Sequence, residues 1–179
     1  MKIRKIAAAI MTAALALTST SISAFASAQE MQDLNIFSGS YDVEGWNMGP
    51  QIQTSNGSGT FDPTEITEGG YFTVEYTGAG GVYLAFSEWT SGKWAQVDEP
   101  TSVEESGDGY IATFSYDDCM SRYNETDFTG LDAIVIGATG ATGEVTTITD
   151  LTWHGYPFYE DLGETAMLYK GGATATGKG

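Results

Sequence analysis

Two tryptophans, Trp89 and Trp94, flank the short segment Thr-Ser-Gly-Lys (Thr90 to Lys93) inside GVYLAFSEWTSGKWAQVDEP, residues 81–100. An indole presents a flat apolar face. A pyranose ring carries axial C–H groups that lie flat on such a face, in the geometry by which aromatic rings also take cations and bases. A platform that removes roughly 100 Å² of apolar surface from water gains roughly 2.5 kcal/mol. Two or three such platforms, once the loss of freedom on association is subtracted, correspond to a dissociation constant on the order of micromolar to millimolar. Gln96 lies two residues beyond Trp94. Its amide both donates and accepts, as a vicinal diol does, and so can orient a ligand where stacking alone cannot.

These residues act together only if the backbone turns them the same way. Read with period two, Val82, Leu84 and Phe86 fall on one face of a strand, and Tyr83, Ala85, Ser87 and Trp89 on the other. With Thr90 to Lys93 as a four-residue hairpin loop, Trp89 is expected opposite Trp94, Ser87 opposite Gln96 and Phe86 opposite Val97. That register makes a dry face of Leu84, Phe86 and Val97, and a second face carrying Trp89, Trp94, Gln96 and Tyr83. Trp46, between Gly45 and Gly49 with Asn47 beside it, is expected in a loop as a third platform, with Tyr41 a further candidate. Trp153 shares parity with Val145 and Leu151 and is expected in the core. Gln51 and Gln53 point outward on a strand whose Ile52 points in. Glu88 and Asp98 are candidate acceptors of sugar hydroxyls near the face, with solvated charge the stronger expectation.

The elements that must position these side chains are β-like. Short runs recur between turn signals, which predicts an all-β sandwich of the jelly-roll kind. Strands are expected at 35–40, 51–54, 71–76, 110–114, 131–136 and 145–153, besides the central hairpin. Residues 41–46 read as a loop, and residues 105–109 and 137–143 as turns. One short helix is expected at 116–123, with Ser115 as its N-cap and Asp117 and Asp118 in its first turn.

Residues 1–28 read as an export signal: a basic start (Lys2, Arg4, Lys5), an apolar run from Ile6 to Thr18, and a small-residue cleavage site at Ala26-Ser27-Ala28. The expected domain is 29–156, followed by a glycine-rich extension or linker at 157–179. Without the leader the chain keeps four Lys/Arg against 24 Asp/Glu, a net charge of −20. Such a surface repels phosphate backbones and anionic lipid, so neither nucleic acid nor a membrane is an expected partner. One cysteine, Cys119, allows no internal disulfide, and one histidine, His154, rules out a Cys/His zinc site. There is no DxDxDG-like calcium loop, and no metal or other cofactor is expected. No local signature surrounds a Cys119–His154 pair, and a buried structural thiol is the expectation for Cys119.

The run YFTVEYTG followed by GVYLAFSEWTSGKWAQVDEP, then GYIATFSYDDCMSRYN and DFTGLDAIVIGATGATGEVTTITDLTW, resembles the non-catalytic carbohydrate-binding modules of family 65 found in rumen and gut clostridial cellulases. The likeness covers roughly residues 35–156. It implies a jelly-roll sandwich that binds β-1,4- and mixed-linked glucans and prefers xyloglucan through a sheet face lined by tryptophans, here Trp46, Trp89 and Trp94, with a glutamine contact at Gln96. The chain departs from the family pattern at Tyr41, where a further tryptophan is expected, and at Ser87, where relatives often carry an amide. The reading that follows is a secreted, monomeric, non-catalytic module that binds plant cell-wall β-glucan and targets an associated glycoside hydrolase. A secreted adhesin or scaffold module that binds protein, and a small glycosidase, are the competing classes.

Overall fold

Alternation along Tyr71-Phe-Thr-Val-Glu-Tyr76 turns Phe72, Val74 and Tyr76 to one side, and all three are buried. The computed structural model describes residues 31–156, so the expected export signal and the extension at 157–179 lie outside the described residues. The strands are β1 (Gln32–Glu44), β2 (Trp46–Gln53), β3 (Tyr71–Gly78), β4 (Val82–Glu88), β5 (Lys93–Val97), β6 (Ser102–Ser106), β7 (Gly109–Ser115), β8 (Ala133–Thr139) and β9 (Val145–Gly155). They form two antiparallel sheets, in the orders β1-β9-β3-β7-β6 and β2-β8-β4-β5. The fold is a β-sandwich, as the turn-punctuated pattern predicts.

The core lies between the sheets. Phe72 of β3 packs against Trp153 of β9 at 4.6 Å and against Phe86 of β4 at 5.8 Å between ring centroids. Phe128, from the segment before β8, closes on Phe86 at 4.9 Å. The expected interior strand is β8, flanked by β2 and β4, and the expected core placement of Trp153 holds. Helix α1 runs over Tyr116–Tyr123 as predicted. The Ser115 hydroxyl accepts from the Asp118 backbone N–H at 3.1 Å, and Asn124 ends the helix in the left-handed region (φ 55°) with its N–H bonded to the Met120 carbonyl. The helix buries Cys119, and that burial pushes the thiol far above its ordinary pKa, as suits a structural cysteine.

Four local expectations differ from the structure. The turn expected at 137–143 begins only after Thr139, because β8 runs on through Gly137 and Ala138, held by pairing with β2 on one side and β4 on the other. Residues 41–44 are not a loop: β1 continues through them, paired with Val145 to Ile148, and the turn is Gly45 alone, at φ 63°. Asp42 and Glu44 read as loop residues because β1 is an edge strand that keeps one side in water. Strand β6 carries five exposed residues and no apolar alternation, and only its pairing with β7 makes it a strand. On β9 the register slips at Thr149, so the inward set changes from Thr146 and Ile148 to Leu151 and Trp153. Val145 is therefore exposed rather than level with Leu151.

Leu84 sits fully buried at the centre of this arrangement. Leu84→Ala is expected to lower the unfolding free energy by about 2–5 kcal/mol in urea denaturation. Val103→Ala, on exposed β6, is expected to change it by no more than about 0.5 kcal/mol.

Candidate functional site

The expected two faces of the central hairpin exist, but its register is displaced by two residues. Ser87, not Trp89, is opposite Trp94; Ala85 is opposite Gln96; Phe86 is opposite Ala95; Leu84 is opposite Val97. The loop is Trp89 to Gly92, and the last strand pair is Glu88 with Lys93. Because side chains alternate with period two, a slip of two leaves every residue on its expected side. Trp94 therefore stands on the outer side of the four-stranded sheet, and Trp89, the first loop residue, continues the same parity just past the end of β4; the two are 46% and 48% exposed.

Register across the sheet sets what lies between them. One row is Gln53, Ala133, Ser87 and Trp94; the next is Gln51, Val135, Ala85 and Gln96; the next brings Met48, Gly137 and Tyr83 together. Trp46 follows, opposite Thr139. The middle residues are buried, and most of them are small, whereas Trp94 on β5 and Met48, Gln51 and Gln53 on β2 are exposed at the two edges. Those edges are three strand spacings apart, about 14 Å. The outer face thus carries indoles and amides above a floor of alanine, serine and glycine.

Two of the aromatic rings of this face, Trp89 and Tyr83, lie against glycines. A Cβ at Gly57 would lie 3.1 Å from Trp89 Cη2, so the bare 3-10 turn Ser55–Gly57 supports one side of that indole. The turn is held in place by the Thr54 hydroxyl and the Asn56 amide, both donating to the Leu131 carbonyl, at 2.5 and 3.2 Å. At the other end a Cβ at Gly137 would lie 2.0 Å from the Tyr83 ring, so that ring occupies the side-chain space which Gly137 leaves empty. Trp46 stacks on Tyr83 with centroids 6.2 Å apart and planes at 23°, and is 63% exposed. Tyr83 itself is 2% exposed. It lies on the expected side but supports Trp46 from beneath. Its phenol pKa is raised by burial first and by the nearby Asp98 charge second.

Trp94, Gln96 and Asp98 form a chain along β5. The Trp94 Nε1–H donates to Gln96 Oε1 at 3.2 Å, and Gln96 Nε2 donates to Asp98 Oδ1 at 2.7 Å. An indole can only donate and a carboxylate can only accept, so both ends dictate which way the Gln96 amide points. One amide hydrogen and one carbonyl lone pair remain for a ligand.

The reverse side of the hairpin is tied down. Glu88 accepts hydrogen bonds from the Tyr123 hydroxyl and from Ser91 Oγ, the latter at 2.8 Å. Lys93 pairs with Glu125 and lies 5.0 Å over the Tyr123 ring. Asp132 accepts from the Trp89 backbone N–H at 2.6 Å.

Trp46, Trp89, Trp94 and Gln96 thus share one face, with Tyr83 beneath it. Tyr41 does not join them: it stands on β1 in the other sheet, opposite Ile148. Trp46 opens strand β2 rather than lying in a loop. Exposed Met48, Gln51 and Gln53 complete the far edge. Met48 was legible as sharing parity with Trp46. The supports at Gly57, Gly137 and Tyr123 left no local signal. Among the described residues no group of three or more His, Cys, Asp or Glu is placed to hold a metal ion.

A family model described as carbohydrate binding module 65 domain 1 matches residues 37–148. A structure of the carbohydrate-binding module of endoglucanase Cel5A from Eubacterium cellulosolvens is 25% identical, with a TM-score of 0.53, over 70% of this chain and 98% of that one. A second structure of a module of the same enzyme is 24% identical, with a TM-score of 0.52, over 70% and 99%. A non-catalytic carbohydrate-binding module designated CBM65B is 25% identical, with a TM-score of 0.51, over 70% and 99%. No curated protein sequence matches the chain.

The Tyr123 hydrogen bond is the chief influence holding the Glu88 carboxyl below its ordinary pKa of 4.5. A depressed carboxylate pKa contributes stability above the unfolded value, and that contribution is lost as pH falls through the folded one. Glu88→Gln is therefore expected to destabilise the domain at pH 7, and the difference from the unsubstituted chain is expected to narrow towards pH 3, as read by urea denaturation at both pH values.

Proposed function

The chain belongs to the carbohydrate binding module 65 domain 1 family, and from that we propose that it binds plant cell-wall β-glucan, xyloglucan included, on the outer face of the β2-β8-β4-β5 sheet. It is a non-catalytic carbohydrate-binding module, as is its relative CBM65B. The observation that carries the choice of face is the exposure of Trp46, Trp89 and Trp94 on one side of the molecule, with Trp46 layered on Tyr83, Trp89 against the turn at Gly57 and Trp94 hydrogen-bonded to Gln96. A glucan chain running obliquely from the Trp89–Trp94 corner to Trp46 stacks at both ends and meets Gln96, Gln51 and Gln53 between them. The indoles supply apolar contact, and the amides exchange hydrogen bonds with ring hydroxyls. A surface this open lets a polymer enter and leave sideways, which suits an internal stretch of chain more than a free end.

The wider role follows from the same reading. The export-type leader at residues 1–28 supports action outside the cell. The similarity to a module of an endoglucanase supports a task of concentrating a glycoside hydrolase on its substrate. Each chain carries one such face and acts as a monomer.

Affinity electrophoresis in gels containing xyloglucan or barley β-glucan tests this. Trp89→Ala and Trp94→Ala are each expected to weaken binding about tenfold or more, since each removes on the order of 2 kcal/mol of stacking. Trp46→Ala is expected to weaken it comparably, and Tyr41→Ala to leave it unchanged. Undiminished retardation of both Trp89→Ala and Trp94→Ala in both gels would overturn the assignment of the face.

A further inference from the structure

Asp98 directly follows β5, and its side chain is exposed. Leu84 and Val97 form the end pair of the β4–β5 ladder, so the next position brings Asp98 level with Tyr83. It thereby extends the outer row of Met48, Gly137 and Tyr83. After burial, the Asp98 charge is the second influence raising the Tyr83 phenol pKa, which agrees with that placement. No other residue in the three outer rows carries a charge. A face of indoles, amides and small side chains thus holds one carboxylate, and it stands beside the amide of Gln96.

Gln96 Nε2 donates to that carboxylate at 2.7 Å, and among the described residues no Lys or Arg pairs with it. A hydrogen bond to an ionised acceptor is stronger than one between neutral groups. Without Asp98, the Gln96 amide would keep only the Trp94 Nε1–H, at 3.2 Å, to hold it. One long bond leaves a side chain with several rotatable bonds free to swing. Its order would then be imposed when the ligand arrives, at an entropic cost to binding. Asp98 meets that cost in the free protein.

The same charge acts on whatever lies over Gln96. A neutral chain of hydroxyls tolerates it, because a hydroxyl donates to a carboxylate as readily as to an amide oxygen. A chain that carries carboxylates does not. Like charges about 6 Å apart at a protein surface repel enough to weaken binding roughly threefold, even in 0.15 M salt. Screening over about 8 Å at that salt largely silences the more distant acidic groups of the chain. Asp98 is the charge that a polymer on this face would feel.

We propose that Asp98 is a specificity-determining residue of the glucan face: it positions the Gln96 amide for a neutral, hydroxyl-bearing chain and turns away polysaccharides that carry carboxylates. The assignment rests on the glucan-binding reading of this face, and it goes further by naming the residue that selects among polymers. Asp98 acts on the neutral chain through Gln96 and is a positioning residue there.

Asp98→Asn and Asp98→Ala separate the two effects, because asparagine keeps an oxygen acceptor for Gln96 and gives up the charge. The Trp94 N–H keeps Gln96 from turning over in the Asn variant, since that would set donor against donor. Isothermal titration at pH 7 in 0.15 M salt compares barley β-glucan with lightly substituted carboxymethylcellulose. On β-glucan, Asp98→Ala is expected to weaken binding about threefold or more, and Asp98→Asn by less than about twofold. In a Gln96→Ala background, Asp98→Ala is expected to add nothing further. On carboxymethylcellulose, Asp98→Asn is expected to bind about threefold more tightly than the unsubstituted chain. In the ligand-free chain the Trp94 indole N–H resonance should move in Asp98→Ala and hold its place in Asp98→Asn. Equal losses for Ala and Asn on β-glucan, a loss that persists in the Gln96→Ala background, an indole signal indifferent to Asp98→Ala, or no gain on carboxymethylcellulose would each overturn the proposal. The glucan reading itself is judged by the unsubstituted chain and its Trp89→Ala and Trp94→Ala variants, all of which keep Asp98.

Discussion

Strand β4 is buried on both of its faces, and the rest of the molecule is arranged to make that possible. On one side Val82, Leu84 and Phe86 enter the sandwich core. On the other, Tyr83 and Ala85 join Val135 in a small second cluster beneath the outer aromatics. Moving β4 by one residue relative to its neighbours would exchange the two sets and place alanine where phenylalanine fills the core. The dry inner face therefore fixes register, and register in turn fixes which residues look outward. The outer aromatic surface is a by-product of core packing that has been turned to use.

That surface is also prepared in advance. Ligand stacking is favourable only to the extent that the platform need not be ordered at the moment of contact. Here Trp46 is layered on Tyr83, which is layered on the bare backbone of Gly137, and Trp89 lies against the turn at Gly57. The hairpin carrying Trp89 and Trp94 is stapled through Glu88 and Lys93 to Tyr123, at the end of α1. The helix contributes nothing to the outer face directly. Its part is to hold the hairpin that does.

How far the sequence could be read depended on the range of the interactions involved. Period-two alternation from Val82 to Trp89 sorts the two faces correctly, because the signal is local and one face is apolar. Ser115 with Asp117 and Asp118 marks a helix start for the same local reason. The hairpin closes one residue earlier than Thr-Ser-Gly-Lys suggests, since Glu88 and Lys93 are held by Tyr123, a residue far along the chain. β6 has no pattern of its own and exists only through β7. At Thr149 a single irregular residue moves Val145 to the outside, and no composition signal marks it. Tyr83 shows the limit most plainly: parity assigns its side, but only the contacts with Gly137 and Trp46 reveal that it lies under the surface rather than on it.

The pairing of Gln32 with Gly155 has a mechanical consequence. The first and last strands of the described residues are antiparallel neighbours whose outer ends meet, so a pull applied between those two ends opens β1 from β9 one hydrogen bond after another, as a zipper is opened. Strands loaded in shear share the force among all their bonds at once, and these cannot. Under tension through its own backbone the domain is therefore expected to yield first at this seam. The sheet bearing the three exposed indoles does not contain either strand, and so lies outside the first path of rupture.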